Sequence, residues 1–381
     1  MTECLIALSL MTGTQVMKIK AIIVDLDRTL LRTDKSLSSY TVGVLKECKK
    51  HSIKIMVATA RPVRTVTDYH IAIGFDAMAV SNGARIIYNG ITAEYGICKD
   101  STIKLLKALQ RFPDLRITLE TGDVAYSNVP IEDYETVVCE DLICVAEAEG
   151  VIKLLVGIDT EDTLELVKSQ LSEDLYYTVA NGRLIQIMDK EATKWNGIKT
   201  MLEIADISPD MVAYFGDDHD DIEPIKMCGM GIAVSNGIDE VKSVADYITG
   251  SNDEDGVAKF IKEAILRRAI SREYLGKDVE VYVDRPLGSA HPKYSDMIYP
   301  VNYGYIPNTV GGDGEEIDVY LLGVSEPVKA CCAKIIGVIH RLNDSEDKLV
   351  ASLDGKKFTE EEIRNAVMFQ EKYYNIEIET I

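Results

Sequence analysis

The 381-residue sequence has no apolar run approaching the ~18 to 20 residues that a membrane-spanning helix requires. Basic residues are scarce: 41 Lys and Arg against 62 Asp and Glu leave a formal charge of −21. Nucleic acid and anionic membranes are bound through basic surface, so this balance argues against both as partners. It does not argue against phosphate esters, because a bound divalent cation inverts the sign of a carboxylate-rich site. The eight cysteines form no C-x-x-C pair, although Cys331 and Cys332 are adjacent, and the five histidines show no metal-ligand spacing. The thiols therefore read as reduced and structural, in a cytoplasmic setting. Internal repeats and low-complexity runs are also missing. What remains is ordinary globular composition, 46% hydrophobic and 27% charged, in a chain long enough for two or three domains.

The opening 17 residues contain a short apolar patch but carry Glu3 where a signal peptide has positive charge. They are expected to be a disordered leader, with Met1 and Met17 both open as translation starts. From Lys18 to about Gly250 buried strands ("KAIIVD", "IKIMVATA", "MVAYFGDD", "GMGIAV", "ADYIT") alternate with helices such as "SSYTVGVLKECKKH", whose serine suits an N-cap. That alternation predicts an α/β fold with a doubly wound parallel sheet. It is interrupted between about Tyr88 and Met188, where "VIKLLVGID", the helix "TEDTLELVKSQLS" and a hairpin turning at Asn181-Gly182 suggest an inserted α+β unit. Beyond a helical stretch, "GVAKFIKEAILRRAISREYLG", short strands lie between Gly, Pro and Asp clusters, and one helix follows with a Thr359/Glu362 capping box. This predicts a small β-barrel with a docked helix. "SREYLGKD" reads equally as a flexible linker or a rigid helical joint. The expected domains are a core of residues 18–87 and 189–270, an α+β cap of 88–188 and a barrel of 271–381.

The stretch "VDLDRTLL" ends a strand on Asp25 and adds Asp27 two residues later. Thr59 ends the next apolar strand, Lys194 opens a helix after the insertion, and "YFGDDHDD" ends a further strand on Asp217, Asp218, Asp220 and Asp221. In an open parallel sheet the carboxyl ends of the strands line one crevice, so these groups are expected to meet. Crowded carboxylates raise one another's pKa, and Mg2+, a hard cation that prefers oxygen, removes the conflict. Asp25 is then the candidate nucleophile toward phosphorus, and Asp27 the acid and base for the leaving oxygen and the hydrolytic water. Thr59 and Lys194 supply a hydroxyl and a charged donor to the phosphoryl oxygens.

These ordered motifs, with "SNGARI", "GMGIAVSNG" and "ADYITGSNDEDGVAKFI", resemble the haloacid dehalogenase superfamily over about Lys18 to Ile261. The position of the insertion resembles the Cof-like phosphatases with an α+β cap. The resemblance implies that Mg2+ is held by Asp25, the backbone carbonyl of Asp27 and Asp217, with Asp221 assisting. Arg61 and Asn82 are implied substrate contacts. Two positions depart from the pattern: Arg28 stands where Gly is commonest, and Asp220 where these phosphatases usually carry Asn. Arg28 reads either as a solvated turn residue or as a contact to a second anionic group.

The tail contains "YPVNYGYIPNTVGGDGEEIDVYLLG", which resembles soluble inorganic pyrophosphatase. Cleaving diphosphate with water requires two or more Mg2+ ions, hence several converging acids. The resemblance implies metal ligands at Asp313, Glu315, Asp318, Asp344 and Asp347, and substrate contacts at Lys293, Tyr303, Lys348 and Tyr373, with Asp284 on a family glutamate. Glu315 replaces the family's middle aspartate and Tyr374 a phosphate-binding lysine. The segment between Tyr294 and Tyr299 is too short for the family's hairpin and its arginine.

The expected function is Mg2+-dependent hydrolysis of a small phosphomonoester through an aspartyl phosphate. The alternative is pyrophosphate or diphosphate hydrolysis by the tail as the principal activity. A third reading makes the tail a binding or dimerisation module.

Overall fold

The computed structural model describes residues 18–131, 134–158, 160, 162–180, 182–312 and 314–381. The expected leader lies outside the described residues, as do Asn181 of the hairpin turn and Asp313 of the acidic frame. The chain divides into two compact units: Lys20–Val42 with Ile53–Asp246, and Gly43–Ser52 with Tyr247–Ile381. Among the described residues no helix is long and apolar enough to cross a membrane.

In the first unit the wholly buried strand Ala21–Val24 pairs in parallel with Lys54–Ala58 on one side and Val212–Gly216 on the other. The sheet continues through Ala77–Val80 and Met230–Val234, also in parallel. Every position of Ile22-Ile23-Val24 is apolar because both faces of this strand are covered, leaving no solvated side to alternate with. From Ala21–Val24 the chain proceeds to Lys54–Ala58 and Ala77–Val80, whereas Val212–Gly216 on its other side leads away to Met230–Val234, and this reversal opens a crevice beyond the carboxyl ends. An antiparallel hairpin, Arg85–Tyr88 and Ile91–Glu94, extends this sheet past position 88.

The insertion forms a second sheet of six strands, in the order Leu175–Ala180, Leu184–Asp189, Lys153–Gly157, Ile117–Glu120, Ala125–Ser127 and Val137–Val138. The helices Lys99–Leu109, Leu142–Ala148 and Asp162–Gln170 contribute to one apolar cluster with Leu119, Leu154, Val156, Ile185 and Ile187. Ala180 pairs with Leu184, so the two strands form the predicted hairpin, with Gly182 at φ 65°.

In the second unit five strands close into a barrel: Asp278–Arg285, Asn302–Tyr305, Asp318–Leu322, Lys348–Ser352 and Ala330–Arg341, the last pairing back to the first. Gly304 of the N-Y-G-Y run sits where a Cβ would lie 1.8 Å from the carbonyl oxygen of Tyr282, so the close strand approach there requires glycine. The capping box forms as expected: Thr359 Oγ1 accepts from the Glu362 amide at 3.2 Å, and Glu362 accepts from the Thr359 amide at 2.7 Å. The chain does not finish on the helix Glu360–Glu371, however. It ends in a sixth strand, Ile376–Thr380, on the edge of Ala330–Arg341, a five-residue segment whose Ile/Glu alternation is easily passed over after a helix.

The helical run 256–272 is tied to the barrel by Arg268–Glu377 at 3.2 Å and Arg272–Glu379 at 2.5 Å. The Gly276 amide donates to Ile335 O and the Ile335 amide to Lys277 O, both at 2.9 Å, so "SREYLGKD" is a joint held in place rather than a free linker.

Candidate active site

Asp25 follows its strand directly, and its amide continues the parallel ladder by donating to Phe215 O at 3.0 Å. The chain then turns over residues 26–30 and is closed by the Leu31 amide donating to Leu26 O at 2.8 Å. Arg28 takes φ 61° in this turn, a left-handed conformation that explains why glycine is commonest at the position. Its guanidinium donates to Asn236 O at 3.1 Å and lies 3.8 Å from Asp217, so it braces the loop and adds positive charge beside the acids.

Lys194 is the first residue of the helix Lys194–Ala205, whose N-cap Thr193 accepts from the Asn196 amide at 3.1 Å. Its Nζ lies 3.0 Å from Asp25 Oδ1 and 2.6 Å from Asp221 Oδ1. Asp217 Oδ1 accepts from Thr29 Oγ1 at 3.0 Å. Asp221 accepts from the amides of Asp217 and Asp218, at 2.9 and 3.1 Å, and from Tyr214 Oη at 2.5 Å. It therefore shapes the very loop that presents Asp217. Thr59 is buried at the neighbouring strand end, where its Oγ1 accepts from the Arg61 amide at 3.3 Å. The structure thus brings Asp25, Lys194, Asp217 and Asp221 into direct contact range, as the strand-end argument predicts.

Burial pushes the Asp25 carboxyl well up; Lys194 opposes this, while Asp221 and Asp217 push it further. Asp217 is raised to about 6, by burial first and by Asp221 second. Lys194 is held charged: burial alone would lower its pKa, but Asp221 and Asp25 outweigh burial. Oxygens of Asp25, Asp217 and Asp221 all lie within 4.8 Å of one another. Three buried carboxylates against the Lys194 ammonium and the exposed Arg28 guanidinium leave uncompensated negative charge, and an all-oxygen donor set of that size fits Mg2+.

Asp27 is clamped by Arg61, whose Nε and Nη2 donate at 2.6 and 2.8 Å, and by Lys35 at 2.6 Å. Burial would raise its pKa, but these cations hold it at about 2. Asn82 donates to Asp220 at 2.7 Å, and its Oδ1 lies 3.4 Å from the Nζ of buried Lys153. Lys35, Tyr214, Thr29 and Lys153 are absent from the sequence-based set. Lys153 carried a visible signal, an isolated charge within the apolar strand "IKLLV".

The barrel carries a separate polar cleft of about 400 Å3. Tyr303 Oη donates to Asp318 at 2.5 Å, and Lys348 forms ion pairs with both Asp318 and Glu346. Arg285 pairs with Asp284 at 2.7 Å, and Arg341 pairs with Asp344 at 2.9 Å and Glu371 at 2.6 Å while covering the Tyr374 ring at 3.8 Å. Four of the residues expected here lie elsewhere. Asp347 is buried against His340 at 2.7 Å and Arg267 at 3.3 Å, while its neighbours Glu346 and Lys348 take the cleft side. The turn after the last helix brings Tyr374 rather than Tyr373 to the cleft, and Lys293 and Glu315 are exposed outside its lining. Conversely, Arg285, Arg341 and Glu346 line the cleft without having been expected there.

Residues 22–261 match the model of haloacid dehalogenase-like hydrolases, and residues 273–375 that of inorganic pyrophosphatase. The chain is 26% identical over 270 residues to 5-amino-6-(5-phospho-D-ribitylamino)uracil phosphatase YitU of Bacillus subtilis, covering 64% of this chain and 96% of that one. Among solved structures, BT1666 of Bacteroides thetaiotaomicron, a phosphatase of the haloalkanoate superfamily, superposes with a TM-score of 0.59 at 22% identity, over 67% of this chain and 98% of its own. TM0651 of Thermotoga maritima gives 0.59 at 19% identity, over 66% and 97%. With more than half of its length matched, the chain belongs to the haloacid dehalogenase-like hydrolases and is a phosphatase of that superfamily, joined to a C-terminal segment of the inorganic pyrophosphatase family.

Proposed function

We propose that the first unit hydrolyses a small phosphomonoester with Asp25 as nucleophile. Its carboxylate oxygen bonds to phosphorus as the ester oxygen departs with a proton from Asp27, and water then cleaves the aspartyl phosphate while Asp27 accepts a proton. Lys194 steadies the ionised form of Asp25 and, with Thr59, donates to the phosphoryl oxygens. Asp25, Asp217 and the main-chain carbonyl of Asp27 would hold Mg2+, with Asp221 behind them, and the bound ion would neutralise the crowded carboxylates and polarise the phosphoryl group. Since Asp27 is an ion-paired carboxylate in this structure, its work as an acid requires Arg61 and Lys35 to shift their contacts toward substrate.

The observation that carries this reading is the 3.0 Å contact of Asp25 with Lys194 inside a cluster shared with Asp217 and Asp221. The YitU name supports a small phosphorylated metabolite as substrate. A core of 18–87 and 189–270, a cap of 88–188, a barrel from 271 and a cytoplasmic setting without nucleic-acid partners complete the proposal. Phosphate release from a panel of phosphomonoesters, with and without Mg2+, tests it. Undiminished turnover by Asp25→Asn would reject it.

A second activity, hydrolysis of pyrophosphate in the barrel, is favoured by Tyr303, Asp318 and Lys348 meeting in one cleft beside Arg285 and Arg341. Phosphate release from pyrophosphate by the full chain, lost in Asp318→Ala, tests this separately.

A further inference from the structure

The inserted sheet has two chemically distinct faces. Along 116–120, Ile117 and Leu119 enter the apolar cluster, so Arg116, Thr118 and Glu120 face the other way. Across the ladder, Lys153 pairs with Glu120 and Leu155 with Thr118, which places them on that same face. Together with Ala60, Arg61 and Pro62, which follow Thr59, this face encloses a cavity of about 510 Å3. The cavity adjoins the phosphoryl end of the site: Arg61 in its wall holds Asp27 at 2.6 Å, and Lys153 donates to Ala60 O at 3.1 Å and to Gln186 Oε1 at 2.8 Å while lying beside Asn82.

Glu120 is only 2% exposed. Its Oε1 accepts from Tyr134 Oη and from Arg64 Nη2 at 3.4 Å, whereas its Oε2 has no hydrogen-bond partner among the described residues. Lys153, directly opposite, directs its protons to the neutral acceptors named above. A buried acceptor without a donor is costly, and because Glu120 is one of the residues that line this ligand-sized cavity, a ligand's donor would relieve that cost once the carboxylate turns toward it.

We propose that Glu120 selects the substrate's leaving group, its Oε2 accepting a hydrogen bond from a hydroxyl or amine that lies beyond the phosphate ester. This rests on the phosphomonoesterase reading above. A site built around an acceptor discriminates strongly against analogues that lack the matching donor, because the acceptor is then left unpaired. The preferred esters are therefore polyhydroxylated or amino-bearing, and simple alkyl phosphates are poor substrates.

The test uses the purified full chain with ribitol 5-phosphate and glucosamine 6-phosphate against propyl phosphate, which has the same reacting group and no donor. The better donor-bearing ester is expected to exceed propyl phosphate by about 100-fold or more in kcat/KM. Glu120→Gln keeps the volume but replaces an accepting oxygen with an amide NH2, and should shrink that ratio by about tenfold or more, mainly through KM. Deoxy analogues of the better ester test the same contact in the unmodified chain: removal of one hydroxyl or amine should reproduce the Glu120→Gln loss. Equal rates on all esters, or a ratio unchanged in Glu120→Gln, would overturn the inference while leaving the phosphomonoesterase intact. Failure to hydrolyse any ester would overturn both.

Discussion

The two polar clefts of this chain handle charge differently. Around Asp25 three buried carboxylates have Lys194 between Asp25 and Asp221 and the exposed Arg28 guanidinium 3.8 Å from Asp217, and two of the three are pushed toward protonation. In the barrel the acids stand beside cations from the chain itself: Asp284 with Arg285, Asp318 and Glu346 with Lys348, Asp344 and Glu371 with Arg341. Both clusters hold more carboxylates than cations, but each acid of the barrel cleft is in a direct ion pair, whereas burial and mutual repulsion at Asp25 and Asp217 leave negative charge for a divalent ion to relieve. Mg2+ is therefore expected to raise the stability of the first unit by relieving repulsion among Asp25, Asp217 and Asp221, and a ligand entering the barrel cleft must exchange existing ion pairs for new ones.

The sharpest way to break this comparison is a crossed pair of variants. Asp25→Asn should lower phosphomonoester turnover by about 10^4-fold or more while leaving pyrophosphate turnover by the barrel unaffected. Asp318→Ala should do the reverse, and a variant that abolishes both activities would show one site where two are argued. Lys194→Ala comes next, with an expected loss of about 10^2 to 10^3-fold in kcat. It should also weaken the Mg2+ dependence less than loss of Asp217 does, which a metal titration of activity would reveal.

Stability separates the regions in another way. In the barrel, burial would raise Asp347, but His340 and Arg267 hold it at about 2, and the same partnership, with Glu379, raises His340 despite burial. The carboxylate's contribution is present above its unfolded value of about 4 and fades as pH falls toward 2. The imidazolium's contribution is present below about 6.5 and fades as pH rises through the elevated folded value. The melting temperature of the barrel should therefore peak between about pH 4 and 6.5. His340→Gln should flatten that peak and cost about 2 kcal/mol near pH 5. The smallest effect expected is kinetic. Lys35→Ala removes one of the cations holding Asp27 at about 2, so its pKa rises and more of it is protonated in mild acid. The rate for alkyl esters, relative to p-nitrophenyl phosphate, should rise several-fold below about pH 6, because an alkoxide leaves only with a proton whereas p-nitrophenolate leaves without one.

Much of the candidate site is legible in the sequence because each residue is fixed by a local rule. A buried apolar run must end at the edge of the buried layer, and Asp25, Thr59 and Asp217 each stand at such an end. The barrel cleft is less legible. Asp347 matches an acidic pattern, yet its neighbours Glu346 and Lys348 occupy the cleft side, and a one-residue difference reverses the face. Arg285 and Arg341 belong to strands whose tilt around a closed barrel decides where their long side chains end, and no spacing rule expresses that.

By itself the sequence determined the alternation of strands and helices in the first sheet, the carboxylates at strand ends and the charge that calls for a metal, since all of these follow from composition and from periods of two and 3.6 residues. Only the tertiary structure decided that Lys194 bridges Asp25 and Asp221, that Lys35 and Arg61 close on Asp27, and that Glu120 is buried with one oxygen unmatched. Most of those contacts join residues from different elements of the chain. Their distances are set by how layers pack, and packing depends on the whole set of side chains rather than on any one segment.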